Sequence, residues 1–293
     1  MDHFSKLPLD CISEIISLTS PPDAAAFCLI SKRFKSASES NALWKKFLPP
    51  DIDDLISKSP STTIPWKKKK DLYLSLSHSP ILLDRCNLSF FLERSTGKKC
   101  FMVQAAALKF IGSDSYHLPV TQYILREKTR FVKLVMLGTM YGTFDIVGKI
   151  DSQMISEETH YSSYLVFKVT SQHCPETSTL SQVRGVCRYA DKESVTVAIN
   201  RASRCLFHRD DNSLFYGVCF PKVRVPTARG DGWFEVEIGT FFSGGGNHGD
   251  VESHVFDISL SPGETLMVEG IEFRPENIFG GMSGLGMLFS EEK

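Results

Sequence analysis

From about Leu88 onward the chain is dominated by short stretches in which apolar and polar residues alternate. The runs are Phe144, Ile146, Gly148 and Ile150; Tyr161, Ser163, Leu165, Phe167 and Val169; Val195, Val197 and Ile199; Phe234, Val236 and Ile238 against Glu235 and Glu237; and Leu266 and Val268 against Met267 and Glu269. Successive side chains of a strand point to opposite faces, so a period of two gives each strand one apolar face that must be buried against another layer. Gly, Pro, Asp and Ser separate the runs, and few helical stretches intervene. This pattern predicts an antiparallel β-sandwich or jelly roll. A length of 293 residues leaves room for one or two domains.

The N-terminus follows a different period. After Pro8, which suits a first helical position, Leu9, Ile12, Ile15, Ile16 and Thr19 recur at helical spacing, and Pro21-Pro22 is expected to stop the run. Asp23 is the expected cap of a second helix carrying Ala24, Phe27, Ile30 and Phe34 on one stripe, with Lys32, Arg33 and Lys35 near its end. A third short helix carries Leu43, Trp44 and Phe47 up to Pro49-Pro50. Three helices in roughly 45 residues lie near the size below which a domain struggles to bury enough apolar surface alone. Leu7, Leu9, Ile12, Ile15, Ile16, Leu18, Leu29, Ile30, Leu43 and Trp44 are nevertheless more apolar groups than one small inward face uses. A partner is expected to cover some of them.

Residues 49–65, PPDIDDLISKSPSTTIP, are rich in Pro, Ser and Asp and are expected to form a boundary segment. Pro65 then opens a helix over 66–76, in which Leu72 and Leu76 are four apart. The expected organisation is an α+β multidomain chain: a three-helix unit over 1–48, a linker over 49–87, the sandwich over 88–276 and a tail over 277–293. The 33 basic and 34 acidic residues leave a net charge of -1, so there is no overall attraction to nucleic acid or anionic lipid, and neither is an expected partner. No run approaches the roughly 18 to 20 uncharged apolar residues of a membrane span. Lys6 and Asp10 interrupt the start before a signal peptide can form, which makes the cytosol or nucleus the expected compartment. Eight cysteines without a C-x-x-C pair are expected to be reduced and mostly buried.

Several constellations could carry chemistry. His248, Asp250, Glu252 and His254 fall at two-residue steps and share one strand face. Neighbours on a straight strand face lie about 6.5 to 7 Å apart, too far for all four to reach one ion at about 2 Å, so an exposed polar face is expected and no metal. Gly244-Gly245-Gly246 lacks the following Lys-Ser/Thr of a phosphate loop and suits a turn, while Lys67 to Lys70 suits a solvated helix face. Cys205 and His208 lack any accompanying nucleophile signature, so neither catalysis nor a cofactor is expected. Trp233 either lies on the outer face with Glu235 and Glu237 or is turned inward by a bulge, and a core or corner position is favoured. From Val225 to Lys293 three basic residues face twelve acidic ones, expected to be solvated glutamates on outward strand faces.

Residues Leu7 to Leu48, with their opening Leu-Pro, the aliphatic Ile12 and Ile15, the S-P-x-D-A turn, the Ser31 to Phe34 stretch and the closing Trp44, resemble an F-box. The remainder resembles the phloem protein 2-like, Nictaba-related lectin domain. The matching segments are GKKCFMVQAAAL, DIVGKID, YLVFKV and, most specifically, DGWFEVEIGTFF followed by VEGIEFRP. Over about Phe4 to Glu276 the chain thus resembles plant F-box proteins with a phloem-lectin C-terminal domain. The resemblance implies a non-catalytic, substrate-recruiting subunit of a Skp-cullin-F-box ubiquitin ligase, bound to a Skp-type adaptor and through it to cullin and a RING protein. It implies Leu7, Pro8, Ile12, Ile15, Leu29 and Trp44 as the adaptor-facing set; Ile16, Phe27 and Phe34 are expected instead to pack the three helices together.

Related lectins bind N-acetylglucosamine-containing glycans, with tryptophans shortly after the first strand stacking on the sugar. The corresponding stretch here, LKFIGSDSYHLPVTQYI, contains no tryptophan. Tyr116 and Tyr123 are the nearest aromatic substitutes, with Asp114 and His117 as hydroxyl partners. The target is expected to be a protein or glycoprotein. A carbohydrate-binding protein or a ligase-independent protein-binding module are the alternatives.

Overall fold

The structure, a computed structural model, describes residues 7–60, 66–84, 87–112, 120–124, 129–131, 133–137, 143–171, 183–189, 192–198, 222–244, 249–260 and 264–276. Four α-helices open it: α1 (Leu9–Ser17), α2 (Pro21–Ala26), α3 (Lys32–Ser38) and α4 (Asn41–Phe47). Pro8 is the N-cap of α1 and not its first turn. Pro21-Pro22 opens a helix where the sequence suggested a stop, because a residue without an N–H loses nothing in a first turn. The cap of α2 is Ser20, whose hydroxyl accepts from the Asp23 amide at 3.3 Å, so Asp23 lies inside the helix it was expected to cap. The expected second helix is broken after a 3-10 turn at Phe27–Leu29. Ser31, extended at φ -163 and ψ 168, caps α3 by accepting from the Phe34 amide. The helical unit therefore has four α-helices where three were expected.

The segment expected to be a linker is built into the fold. It contains α5 (Ile52–Ser57), whose Ile52 and Leu55 are each 4% exposed, α6 (Lys69–His78) and β1 (Ile81–Leu83). The short apolar pattern at Ile52, Leu55 and Ile56 is the helical period hidden inside the Pro- and Ser-rich stretch. Helix α6 buries Leu72, Tyr73 and Leu76. The Tyr73 ring packs 5.2 Å from Trp44 and 6.5 Å from Phe47 between ring centroids, and Trp44 and Phe47 are 5.6 Å apart. One continuous apolar cluster runs from Ile12 of α1 to Phe273 near the end of the last described strand. Part of the apolar surplus of the N-terminal unit is thus covered by the chain itself.

The sandwich has two sheets. The first, in spatial order, is β1, β2 (Leu88–Leu92), β3 (Lys99–Gln104), β15 (Glu264–Pro275), β8 (Thr159–Ser171), β13 (Phe234–Ser243) and β12 (Thr227–Ala228); β6 (Lys133–Leu137) also pairs with β15, and β5 (Val120–Ile124) with β6. The second is β11 (Lys222–Arg224), β10 (Lys192–Ala198), β9 (Val183–Tyr189), β14 (Asp250–Ile258), β7 (Phe144–Asp151) and β4 (Lys109–Gly112). Among the described strands every pairing is antiparallel except β10 with β11. From β7 to β8, and again from β13 through β14 to β15, the chain steps between the sheets, so most neighbours in a sheet are distant in sequence.

The period of two holds. Tyr161, Leu165 and Phe167 of β8 and Leu266 and Val268 of β15 face the inner core at 1% exposure or less. Where β9 crosses β13, a Cβ on Gly185 would sit 2.6 Å from the Ile238 carbonyl oxygen, so only glycine permits the approach.

Candidate functional site

Helix α1 presents two stripes. Ile12 and Ile16, four apart, are 1% and 0% exposed and belong to the core. Pro8, Cys11, Ile15 and Leu18, at steps of three, four and three, are all exposed. Ile15 is 45% and Leu18 83% exposed, Leu9 is 45%, and Leu29 and Ile30 at the end of the 3-10 turn are 85% and 61%. These are five of the seven large exposed apolar residues among the described residues, so the unpartnered apolar surface is concentrated on the helical unit. The Arg33 guanidinium donates to the Leu7 carbonyl and ties α3 to the start of α1.

Of the residues implied as adaptor-facing, Pro8, Ile15 and Leu29 are exposed, and Leu7 is half-buried against the core. Ile12 and Trp44 are corrections. Ile12 shares the inner stripe of Ile16, and Trp44, 0% exposed, donates its Nε1–H to the Ser38 carbonyl at 2.7 Å while its ring meets Tyr73. Leu18 and Ile30, present in the surplus but absent from the implied set, take their place on the surface. Ile16 and Phe34 are buried, and Phe27 stacks on Phe34 with centroids 5.7 Å apart.

The outer face of the first sheet carries a second constellation. Out of phase with the inner core, Met102, Phe131, Leu134, Val166, Trp233 and Met267 form a separate apolar cluster. Trp233 thus lies on the outer side and is nevertheless buried at 1%, with the Lys168 ammonium 4.7 Å from its ring centroid. Its Nε1 has no hydrogen-bond partner among the described residues.

Beside this cluster, Glu272, 1% exposed, sits between Met102 and Tyr164 in register and meets three arginines: Arg130 at 2.8 Å, Arg229 at 3.3 Å and Arg274 at 3.4 Å. Arg229 and Arg274 both also pair with Glu235, and Arg274 stacks on Tyr164 with its Cζ 3.8 Å from the ring centroid. Burial works to push the Glu272 carboxyl up, and the three guanidiniums outweigh it and hold the group below the usual range. At Glu269, 2% exposed, burial wins and raises the carboxyl, although its Oε1 accepts from the Arg130 amide at 2.8 Å. The acidic final quarter is therefore not a set of solvated glutamates, since its strand carboxylates pair with Arg130, Arg188, Arg224 and Lys149 from earlier in the chain as well as with its own arginines.

On β14, Asp250, Glu252 and His254 do lie on the face away from the core. Two of them are held in cross-strand pairs, Glu252 with Lys149 and Arg188, and His254 with Asp145 at 3.2 Å, while Asp250 is exposed. No group of three or more His, Cys, Asp or Glu suited to a metal occurs among the described residues. Asp114, Tyr116, His117, His248, Cys205 and His208 lie outside the described residues. Tyr123 falls on β5, opposite Leu134 of β6. Between the helical unit and the sandwich lies a cleft of about 540 Å³ bordered by Phe47, Pro49, Asp51, Lys99, Gln153 and Glu157. No helix among the described residues is long and apolar enough to cross a membrane.

The chain matches the F-box domain over residues 4–46 and phloem protein 2 over residues 98–275. It is 36% identical over 273 residues to F-box protein At2g02240 of Arabidopsis thaliana, spanning 93% of this chain and 80% of that one. It is 33% identical over 286 residues to F-box protein PP2-B10 of the same plant, spanning 94% and 95%. The chain belongs to the F-box proteins with a phloem protein 2 domain.

Within this F-box/phloem protein 2 chain, α1 to α4 are the F-box and β3 to β15 the phloem protein 2 domain. The galactotriose-bound module TmCBM61 shows a TM-score of 0.32 at 7% identity, covering 59% of this chain and 91% of that one, a likeness too weak to bear on ligand. The arginine–glutamate cluster was missed from sequence. Alternation puts Glu235, Glu272 and Arg274 on outward faces, and only the strand register and the return of Arg130 and Arg229 over that face bring them together.

Proposed function

We propose that the chain is the substrate-recognition subunit of a Skp-cullin-F-box ubiquitin ligase in the cytosol or nucleus, with the F-box bound to a Skp-type adaptor and the sandwich to a target. The observation that carries this reading is the exposure of Ile15, Leu18, Leu29 and Ile30 on a unit whose inner stripe is already buried. Apolar groups left in water carry a cost, and a partner groove removes it. The chain performs no bond chemistry in this role. It raises the effective concentration of target lysines near the charged ubiquitin-conjugating enzyme. Co-purification with a Skp-type adaptor, weakened by the Leu7→Ala/Pro8→Ala double variant, supports the reading; unchanged co-purification speaks against it.

The target is a protein surface or a glycan. The phloem protein 2 domain favours glycan, and the absence of tryptophan from residues 108–124 favours protein. A glycan array of chitin oligomers and high-mannose glycans separates them, because saturable binding supports the glycan target. A silent array with partners that survive deglycosylation supports the protein target.

A further inference from the structure

We infer that the F-box helices and the sandwich form a single cooperative folding unit, joined by a seam of α6 and the β2–β3 turn that holds the two in one fixed orientation. On the helical side Trp44 and Tyr73, 0% and 1% exposed, cover one another. Removing the F-box helices α1 to α4 would expose the Tyr73 ring of α6.

From Tyr73 the contact passes into the sandwich by hydrogen bonds, since its hydroxyl donates to the Arg94 carbonyl at 3.0 Å. The turn it grips is closed on itself. Glu93 accepts from the amides and hydroxyls of Ser95 and Thr96, and its carboxyl lies below the usual range because these bonds outweigh burial. Gly97, at φ +72, brings this turn against α4 so closely that a Cβ would fall 2.4 Å from the Phe47 carbonyl oxygen. The next residues continue inward. Lys99, 8% exposed on its side chain, pairs with Asp51 at 3.0 Å on one side. On the other, its carbonyl accepts from the Tyr161 hydroxyl at 2.7 Å, and Tyr161 stacks on Phe241 in the inner core.

An apolar contact, a hydrogen-bonded turn and a half-buried ion pair thus act in series, and none of them is a hinge. Elements that share a core open together, because opening one alone leaves the other's apolar face in water. It follows that a ligand bound to the native form of either half stabilises both, and that a captured target is presented at a set angle to whatever the F-box holds.

The test is hydrogen exchange of the unmodified full chain in rising urea. The slowest amides of α1 and α4 and those of β8 and β15 are expected to share one opening free energy and one urea dependence. Helical amides that open at lower urea while the strands stay protected would overturn the inference. In a second arm, Tyr73→Phe keeps the ring and removes only the hydroxyl's grip on the turn, and it should lower protection in both halves by the same factor. A loss confined to the helices also overturns it. Neither arm depends on the identity of the adaptor or target, so its failure is distinguishable from failure of the ligase reading.

Discussion

Arg130 reaches over the outer face of the first sheet to place its Nη1 2.8 Å from the Glu272 carboxylate, and Glu272, 1% exposed, is almost wholly shut off from water. A buried carboxylate held by three guanidiniums leaves a large uncompensated charge when it is removed. Glu272→Gln should therefore cost about 3 to 5 kcal/mol of folding stability, read from the urea midpoint at neutral pH. A cost below about 1 kcal/mol would show that solvent, and not the protein, neutralises the arginines.

Glu269 should behave in the opposite sense. Its carboxyl is raised by burial, so the stability it allows is fully present below the usual carboxylate range and is lost as pH rises through its folded value. Glu272, held low, contributes stability that is present above that range and lost as pH falls through its own folded value. Stability profiles between pH 3 and 8 should therefore lose their acid-side slope in Glu272→Gln. Glu269→Gln, which can still accept from the Arg130 amide, should be as stable as the parent or more so at pH 7. Parallel profiles for the two variants would refute the assignment.

Two glycines with positive φ should differ in tolerance. Gly249, at φ +80, has open space where a Cβ would sit, so Gly249→Ala should cost only the conformational strain of about 1 kcal/mol. Gly97 adds a collision with the Phe47 carbonyl, and Gly97→Ala should cost about 2 kcal/mol or more. Equal thermal midpoints for the two would mean that the contact at the seam is looser than described.

The two stripes of α1 should separate stability from binding. Ile16→Ala, in the core, should cost about 2 to 4 kcal/mol. Leu18→Asp, on an 83% exposed position, should change stability by no more than about 0.5 kcal/mol. Thermal unfolding of both variants checks the contrast, which collapses if Leu18→Asp unfolds the chain.

Much of this was legible in the sequence. Period-two runs such as Tyr161 to Val169 and Phe234 to Ile238 located strands and their inner faces, because alternation is a local property of the backbone. The apolar excess of the N-terminus pointed to apolar surface that the unit itself does not cover, and Leu18 and Leu29 are exposed. What stayed hidden depended on non-local packing. Trp44 looked like surface material until α6 supplied Tyr73 against it, and the 49–65 stretch looked like a spacer until Ile52 and Leu55 found the core. The acidic run could not reveal that its glutamates would be met by arginines from elsewhere in the chain, as with Arg130 and Glu272.

The most direct measurement is the affinity of the purified full chain for a Skp-type adaptor, compared among the parent, Ile15→Asp, Leu18→Asp and the core variant Ile16→Val. If the exposed stripe of α1 is the docking face, Ile15→Asp and Leu18→Asp should each weaken binding by more than about tenfold with the thermal midpoint unchanged, while Ile16→Val binds as the parent does. Parent-like binding by both aspartate variants would contradict it.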